Sequence, residues 1–438
     1  MVAGVRLPGC KSSSQRALVL AALARGESRL IGASRCADTR ELAAALRACG
    51  VEVAESPEGE LHVCGPDGPW RPPELLEVGE GGSTLRFLAP VLAARAPGRR
   101  VRLLARGSLA RRPQDDLVSL LRAAGAEAHW ERVGDGACLE VCGGADVPRS
   151  EVELRARTSS QPLSGLLMAA GERPLRLVLT QPPPSWGYLE LTLRWLERFR
   201  GAGAVGVAWD GAALTLEVAR RRGRGGACAV PGDASAAVFF ATAAAVTGRE
   251  VAVSGYDPEH PDARFLLACA ERFGAWEVAD TVGEVRFRPR TTPRADEVVL
   301  DLDSAPDAGP ALAVLAALAP ASPSRGVLFR GLGRLRAKES DRVAAMRRLA
   351  EACGAAVAVE DEGAALRIVA ARGRAREGRA TAEVSRVVAA DGDHRVAMAV
   401  GVASLVLPGL RPDDPECVRK SFPDFWEALE GVRKEVGP

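Results

Sequence analysis

The sequence has 438 residues, of which 47% are hydrophobic, 26% are charged and only 4% are aromatic. Such a chain is too long for a single comfortable core, and it favours two or three domains whose interiors are built from Ala, Val and Leu. A net charge of +2 lacks the strong basic excess typical of nucleic-acid-binding proteins, so we expect no nucleic-acid partner. The arginine-rich segment 220–226, RRRGRGG, is interpreted as a solvated loop.

The cysteines, histidines and apolar runs narrow the class of protein further. Ten cysteines without a CxxC pair are typical of a reducing compartment and predict a cytoplasmic protein. The four histidines are not at metal-ligand spacing, so we expect neither a metal nor another cofactor. The longest apolar run, 396–410, is shorter than the roughly 18 residues of a membrane span, which predicts a soluble protein without a membrane partner.

The segment 8–26, PGCKSSSQRALVLAALARG, can be interpreted in three ways. A secretion signal or a lipid-attachment box is disfavoured, because the apolar segment stops at Arg25 and only MVAGVR precedes LPGC. The remaining interpretation is a Ser-rich helix start whose free backbone N–H groups hold an oxyanion, with Lys11 and Arg16 as counter-charges. On this segment alone, an ordinary capped surface helix remains an equal alternative.

One pattern then recurs along the chain: an amphipathic helix, a glycine, and an alternating strand. The glycines that end these helices are spaced by about 75 residues, at Gly50, Gly125, Gly203, Gly274 and Gly354. The length of the chain predicts six such units, of which five are visible and one is divergent. Each unit is too small to be a domain, so we expect two domains of three units, with helices covering sheets.

Nine motifs in order resemble the 5-enolpyruvylshikimate-3-phosphate synthase family of enolpyruvyl transferases. They are LPGCKSSSQRALVLAALARG, GEGGSTLRFLAP, ARRPQDDL, TSSQPLSGLLM, PGDASAAVFF, APDAGPALAVLAALA, RAKESDR, DGDHRVAMA and RKSFPDFWEAL. Together they extend from one end of the chain to the other, which makes the set far more specific than any single motif.

The resemblance implies an α/β (α+β) fold of two domains. Each domain consists of three repeated βαβαββ-like units with helices packed inside and sheets outside, an inside-out α/β barrel. One domain would be discontinuous, 1–8 plus 231–438, and would carry the acid/base and phosphoenolpyruvate-binding motifs. The other, 9–230, would be inserted into it and would carry the motifs that bind shikimate 3-phosphate. The first strand of the chain would belong to the discontinuous domain.

The activity that the resemblance implies is transfer of the enolpyruvyl group of phosphoenolpyruvate to the 5-hydroxyl of shikimate 3-phosphate, in the chorismate pathway to the aromatic amino acids. Phosphate leaves after addition and elimination. The reaction needs an acid for carbon 3 of the enol and a base for the hydroxyl. By resemblance Glu339 is the acid, Asp307 is the base that also orients the hydroxyl, and Lys11 is the third catalytic residue.

Both substrates are polyanions, and the resemblance assigns residues to each. Those for shikimate 3-phosphate are Lys11, Ser12, Arg16, Ser159, Ser160, Gln161, Ser185, Tyr188, Asp307 and Lys338. Those for phosphoenolpyruvate are Lys11, Gly82, Arg112, Gln161, Arg342, Arg395 and Lys420. Gly82 retains the small residue of glyphosate-sensitive members, so glyphosate is expected to inhibit in competition with phosphoenolpyruvate. The resemblance also implies a monomer.

Three alternatives differ from this interpretation. UDP-N-acetylglucosamine enolpyruvyl transferase carries a reactive cysteine five residues before the Arg-Pro of its loop, whereas Gly107 precedes Arg112 here. A relative with another acceptor from specialised metabolism stays open. A non-catalytic anion-binding protein would not need an acid and a base.

Two residues depart from the commonest residues of the family at their positions. They are Glu80, where many members carry Asn, and Arg334.

Overall fold

In the computed structural model, residues 3–154, 159–171, 173–183, 185–281, 283–292, 295–371 and 386–436 are described. The chain divides into two compact units. The discontinuous unit consists of Met1–Pro8 and Pro231–Pro438, and the inserted unit is Gly9–Val230. Within the described ranges, no helix has the length and apolar character needed to cross a membrane.

The inserted unit contains three four-stranded sheets and seven helices within its described residues. Its helices are α1 (Lys11–Leu23), α2 (Ala37–Ala48), α3 (Gly82–Arg95), α4 (Gly107–Arg111), α5 (Asp115–Ala123), α6 (Gln161–Ala169) and α7 (Trp186–Arg200). Its strands are β2 (Ser28–Ile31), β3 (Glu52–Glu55), β4 (Leu61–Cys64), β5 (Leu75–Gly79), β6 (Arg100–Ala105), β7 (Glu127–Val133), β8 (Gly136–Cys142), β9 (Glu151–Leu154), β10 (Leu175–Leu179), β11 (Val205–Trp209), β12 (Leu214–Val218) and β13 (Ala227–Ala229). The strand orders are β13-β2-β4-β3, β5-β6-β8-β7 and β9-β10-β12-β11.

The discontinuous unit repeats this organisation. Its helices are α8 (Ala234–Thr247), α9 (Pro261–Phe273), α10 (Gly309–Leu318), α11 (Arg342–Ala352), α12 (His394–Ser404) and α13 (Phe425–Val436). Its strands are β1 (Ala3–Arg6), β14 (Val251–Ser254), β15 (Trp276–Thr281), β16 (Glu284–Pro289), β17 (Val298–Asp301), β18 (Val327–Arg330), β19 (Ala356–Glu360), β20 (Ala365–Val369), β21 (Arg386–Val388) and β22 (Leu410–Pro412). They form the sheets β1-β14-β16-β15, β17-β18-β20-β19 and, among the described residues, the two-stranded β21-β22.

The four-stranded sheets share one topology, a parallel edge strand followed by two antiparallel pairings. The edge strand of each unit's first sheet comes from residues close in sequence to the points where the chain passes from one unit to the other, after Pro8 and after Val230. Strand β1 pairs in parallel with β14, with Val5 beside Val253, and β13 pairs in parallel with β2, with Cys228 beside Leu30. The first strand of the chain therefore does lie in the discontinuous unit.

The predicted repeat of helix, glycine and strand is present at all five positions. The glycines after these helices have positive φ angles, which residues with a Cβ adopt at a cost: Gly50, Gly125, Gly203, Gly274 and Gly354. At the third position the cap is Gly201 and not Gly203, because α7 already ends at Arg200. The sixth repeat, which the sequence pattern leaves divergent, contains the two-stranded sheet β21-β22. The mixed α/β fold class is confirmed.

Each unit contains two kinds of helix. Helices α1, α3 and α6 of the inserted unit are buried over most of their length, as are α8, α10 and α12 of the discontinuous unit. The other long helices are amphipathic and lie nearer the surface. The amino-terminal ends of the buried helices carry many of the sequence-predicted site residues, and backbone N–H groups are free at such ends.

Candidate active site

The first turn of α1 is the first group of candidate residues. The Sγ of Cys10 caps the helix by accepting a hydrogen bond from the backbone N–H of Ser13 at 3.4 Å. The Nζ of Lys11 lies 3.0 Å from Oδ2 of Asp38, a carboxylate that is almost fully buried. This ion pair fixes the Lys11 ammonium at the start of the helix, where the helix dipole also favours an anion. Cys10 thus has a local structural role, and Ser12 lies half-buried beside Lys11.

Arg16 is buried, and its donors bind groups of the protein itself. Its Nε donates to Oγ1 of Thr192 at 2.7 Å, and its Nη1 and Nη2 donate to the carbonyl oxygens of Ser12 at 2.8 Å and Tyr188 at 3.0 Å. Burial lowers the pKa of Arg16 to about 10. In this structure Arg16 therefore orders the first turns of α1 and α7. Its predicted binding of shikimate 3-phosphate stays a prediction.

Two guanidinium groups flank Gly82, the first residue of α3. A Cβ placed on Gly82 would lie 2.9 Å from Nη1 of Arg86 and 3.0 Å from Nη1 of Arg112. Arg86 also donates from Nη1 to Oε1 of Gln161 at 2.8 Å, and from Nε to Oε1 of Gln114 at 3.1 Å. The structure thus brings together Gly82, Arg112 and Gln161, all predicted to bind phosphoenolpyruvate. Two cations at the amino terminus of a helix form a suitable site for a phosphate or a carboxylate.

The remaining candidate residues of the inserted unit precede α6 and α7. The hydroxyl of Ser159 accepts a hydrogen bond from the backbone N–H of Gln161 at 3.2 Å, and Ser160 is buried next to it. Ser185 has a φ of 56°, a left-handed conformation that is uncommon for serine and found at functional sites. Tyr188, half-buried in the first turn of α7, is linked to Ser185 by a backbone hydrogen bond of 3.0 Å.

Glu80, which departs from the commonest residue of the family, is turned toward α4. Its Oε2 accepts hydrogen bonds from Ser108, at 3.3 Å from the backbone N–H and 3.1 Å from the hydroxyl. A carboxylate at this place therefore caps a short helix.

The discontinuous unit has a cluster of charges centred on Arg342, the first residue of α11. Its guanidinium, only 1% exposed, binds Oδ1 of Asp307 at 2.5 Å and Oε2 of Glu339 at 3.0 Å. It also binds Oδ2 of Asp393 at 2.8 Å. The helix begins only at Arg342, so Glu339 lies in the segment before it. Both carboxylates assigned to acid/base roles are thus held on one guanidinium.

Two further cations complete this cluster around Asp307. The Nζ of Lys338 lies 3.8 Å from Oδ1 of Asp307, and Nη2 of Arg395 lies 3.7 Å from its Oδ2. Arg395 also donates to Oγ of Ser235 at 2.6 Å. Burial by itself would raise the pKa of Asp307, but Arg342, Lys338 and Arg395 together hold it well below its usual range. Asp307 is therefore ionised at neutral pH and able to accept a hydrogen bond from a substrate hydroxyl.

The depressed pKa of Asp307 predicts how stability changes with pH. A carboxyl whose pKa is lower in the folded than in the unfolded protein stabilises the fold above the unfolded value of about 3.9, and this stabilisation is lost as the pH falls toward the folded value. We expect the difference in unfolding free energy between the wild-type protein and D307N to be larger at neutral pH than at pH values below the unfolded pKa. Urea denaturation of both proteins across this range measures it, and a difference that grows on acidification would contradict the assignment.

Lys420 and His394 lie elsewhere in the discontinuous unit. Lys420 is the last residue of a 3₁₀ helix, Pro415–Lys420, that packs against α12. His394 is the buried first residue of α12, directly before Arg395. None of the hydrogen bonds and ion pairs described above joins Lys420 to Arg342 or Asp307. Its predicted contact with phosphoenolpyruvate stays a prediction.

Three residues of these groups were not identified from the sequence. They are Asp38, which holds Lys11, Arg86, which lies beside Gly82, and Asp393, which holds Arg342. Asp393 had a detectable signal, because an aspartate directly before a helix is a preferred N-cap, and its Oδ1 accepts from the backbone N–H of Arg395 at 2.9 Å. For Asp38 and Arg86 the local sequence contains no comparable signal.

Comparison with known protein families identifies the family to which this chain belongs. The family model of EPSP synthase (3-phosphoshikimate 1-carboxyvinyltransferase) matches residues 1–429. The chain belongs to this family. The resemblance found in the nine sequence motifs is thereby confirmed, as is the expectation that the chain is a member of a transferase family.

Individual members of the EPSP synthase family match over nearly their whole length. The 3-phosphoshikimate 1-carboxyvinyltransferase of Methanosphaerula palustris is 33% identical over 96% of this chain and 95% of its own. That of Methanoculleus marisnigri is 34% identical over 97% and 95%.

Among solved structures, EPSP synthase from Acinetobacter baumannii superimposes with a TM-score of 0.73 at 24% identity, over 98% of this chain and 95% of that one. The enolpyruvyl transferase NikO from Streptomyces tendae gives 0.69 at 18% identity, over 98% and 94%. At these identities the two structures show the fold, and the expected enolpyruvyl transferase fold is confirmed.

Proposed function

We propose that this protein transfers the enolpyruvyl group of phosphoenolpyruvate to the 5-hydroxyl of shikimate 3-phosphate and releases phosphate. The observation that carries the proposal is that Asp307 and Glu339, one for the hydroxyl and one for carbon 3, are both bound to Arg342 in a protein of the EPSP synthase family. An anion-binding protein would need the arginine but neither carboxylate. Membership of the family, whose model matches residues 1–429, supports the same function.

The proposed reaction has an addition and an elimination step. In the addition, the 5-hydroxyl oxygen forms a bond to carbon 2 of phosphoenolpyruvate, Glu339 gives a proton to carbon 3, and the carboxylate of Asp307 accepts the hydroxyl proton. In the elimination, carbon 3 returns a proton, the carbon 2 to phosphate-oxygen bond breaks, and the carbon–carbon double bond forms again. The residue that donates the proton in the first step is available to accept it in the second.

Asp307 is proposed to hold the attacking hydroxyl in place. Its low pKa makes it a weak base, so its main effect is to accept the hydroxyl's hydrogen bond and to direct the oxygen toward carbon 2. Lys338, 3.8 Å from the same carboxylate, is proposed to bind shikimate 3-phosphate together with it. The other residues proposed for shikimate 3-phosphate are Lys11, Ser12, Arg16, Ser159, Ser160, Gln161, Ser185 and Tyr188.

The residues proposed for phosphoenolpyruvate are Lys11, Gly82, Arg112, Gln161, Arg342, Arg395 and Lys420, to which we add Arg86. The Nη1 atoms of Arg86 and Arg112 lie 2.9 and 3.0 Å from the position that a Cβ on Gly82 would occupy, so both present donors to the same small volume. Arginine binds phosphate and carboxylate with two parallel hydrogen bonds, which suits both anionic groups of this substrate.

Substitution of Gly82 by Ala tests this part of the site. The new Cβ would lie within 3.0 Å of both guanidinium groups and displace them, so we expect the KM for phosphoenolpyruvate to rise roughly ten-fold, equivalent to ~1.4 kcal/mol of lost binding. G144A is the matched control, since a Cβ at Gly144 meets nothing within 4 Å. An equal KM in wild-type, G82A and G144A proteins would remove Gly82 from the substrate site.

The acceptor is tested by measuring phosphate release from phosphoenolpyruvate. We expect rapid release with shikimate 3-phosphate and only background release with UDP-N-acetylglucosamine. Release with neither acceptor would overturn the proposal, and release with UDP-N-acetylglucosamine alone would replace it by the related activity.

We also propose that glyphosate inhibits in competition with phosphoenolpyruvate, and that the protein is a cytoplasmic monomer. Competition predicts that the apparent KM for phosphoenolpyruvate increases linearly with glyphosate concentration while kcat stays constant. Light scattering coupled to gel filtration checks the monomer, which would elute with the 45.9 kDa mass of one chain.

A further inference from the structure

A cavity of about 1040 Å³ in the inserted unit is lined mainly by arginines. Arg220, Arg221, Arg222 and Arg224 come from the segment between β12 and β13. Arg198 and Arg200 come from the last turn of α7, and Arg25 from the chain just after α1. The segment 220–226 is therefore more than a solvated loop, because its side chains surround this volume together with arginines from two helix ends. We call this volume the arginine cavity.

Arg200 is an unusual member of this group. It is only 6% exposed, its Nη2 donates to the carbonyl oxygen of Met168 at 2.8 Å, and its buried Nη1 has no hydrogen-bond partner in the described part of the chain. Burial lowers its pKa to about 10. A guanidinium in this position carries an uncompensated charge, and burial of such a charge is costly unless an anion pairs with it.

Some of these arginines satisfy the carboxyl ends of helices. The Nε of Arg222 donates to the carbonyl oxygen of Leu23, the last residue of α1, at 3.1 Å. The Nη1 of Arg221 donates to the carbonyl oxygen of Arg200, the last residue of α7, at 3.1 Å. With Met168 of α6 as the third acceptor, three helix ends point their negative dipoles at the arginine cavity, and each is equivalent to about half a negative charge.

These structural roles leave most of the positive charge unbalanced. Seven arginines and the single carboxylate of Asp67 line the cavity among the described residues, a formal charge of 7 − 1 = +6. Three helix ends offset roughly 1.5 of these charges, so an excess of about 4.5 remains. Glu172, which follows Gly171 in the sequence, lies outside the described residues; even if its charge is counted, about 3.5 positive charges remain. The arginine cavity is therefore suited to a polyanion.

The arginine cavity lies at the other end of α1 from the candidate active-site residues. Lys11 is the first residue of this 13-residue helix and Leu23 is the last, so about 18 Å of helix separates them. In the same way, Tyr188 is in the first turn of α7 and Arg200 ends it. An anion in the arginine cavity would thus not occupy the position proposed for either substrate.

We propose that the arginine cavity binds an oligophosphate, a chain of two or three phosphates either as an inorganic ion or as part of a nucleotide. One phosphate carries about −1.5 to −2 charges at pH 7, about half of the excess or less, so several linked phosphates match it better. The volume is in the range that holds a small organic ligand, and arginine binds phosphate oxygens in pairs. Arg220 and Arg224, both exposed, supply charge that no hydrogen bond or ion pair in the described part of the chain uses.

Inorganic tripolyphosphate is the probe, and its affinity is measured by calorimetry with the wild-type protein and with the double variant R220Q/R224Q. We expect the variant to bind tripolyphosphate roughly ten-fold more weakly, since two charged contacts are lost. The matched control is R132Q/R149Q, which removes two exposed arginines of the same unit that do not line the cavity. It should retain wild-type affinity, and kcat and KM should be unchanged in both variants.

The outcomes separate this proposal from its alternatives. Equal tripolyphosphate affinity in all three proteins would overturn it, since binding would then occur at another site, the proposed substrate site included. Orthophosphate that binds as tightly as tripolyphosphate would contradict a site for linked phosphates. A short oligonucleotide that binds more tightly than both tripolyphosphate and ATP would show a nucleic-acid surface instead. If ATP competes with tripolyphosphate at equal affinity, the phosphate chain alone is recognised; if ATP binds more tightly, the occupant is a nucleotide.

Discussion

Replacement of Glu339 by Gln is expected to lower kcat by about 10²–10⁴-fold, with dissociation constants for both substrates close to those of the wild-type protein. The amide oxygen of Gln can still accept the hydrogen bond that Nη2 of Arg342 donates to Glu339 at 3.0 Å. The substitution therefore preserves this hydrogen bond, and it removes the carboxylate charge together with the group that exchanges a proton with carbon 3. Steady-state kinetics gives kcat, and titration of each substrate against the variant gives the dissociation constants.

E351Q is the matched control for this experiment. Glu351 lies on α11, the helix that follows Glu339, and forms an exposed ion pair with Arg347, so the same change of charge occurs near the site without touching it. We expect E351Q to retain wild-type kcat. A fall in kcat of less than ten-fold for E339Q would assign the proton transfer to another group.

The second large effect is expected for R342Q, which should lower the unfolding free energy by about 3–5 kcal/mol and abolish turnover. Asp393 is fully buried, and Arg342 is its ion-pair partner at 2.8 Å. Without the guanidinium, this carboxylate would remain buried and uncompensated, and Asp307 and Glu339 would lose the cation that holds them. Chemical denaturation measures the stability, and the phosphate-release assay measures the turnover.

Two further variants test whether the stability lost in R342Q comes from the uncompensated buried charge of Asp393. R347Q removes an exposed arginine from the same helix and should leave the denaturation midpoint close to that of the wild-type protein. The double variant R342Q/D393N should regain part of the stability lost in R342Q, because the uncompensated carboxylate is removed with its partner. A double variant that is less stable than R342Q would contradict this explanation.

The sequence predicted the repeated units well because their signals are local. A glycine after an amphipathic helix needs no distant partner to adopt a positive φ angle, and all five glycines do so. Placing the cap of α7 at Gly203 was wrong by two residues because two glycines compete there.

The contacts within the candidate site were harder to predict, because they join residues far apart in the sequence. Asp38 is 27 residues from Lys11, Asp393 is 51 residues from Arg342, and Gln161 is 75 residues from Arg86. Only the tertiary fold brings these pairs together. The arginine cavity is a further example, since the segment 220–226 alone resembles a solvated loop and its neighbours Arg25, Arg198 and Arg200 come from other elements.

The measurement that tests the proposed function most directly is nuclear magnetic resonance of the product formed from ¹³C-labelled phosphoenolpyruvate and shikimate 3-phosphate. We predict a vinyl ether whose labelled carbon 2 is bonded to the oxygen on carbon 5 of the shikimate ring, formed in equal amount to the released phosphate. Pyruvate and phosphate without a vinyl ether, or a vinyl ether only when another hydroxyl compound is supplied, would contradict the account.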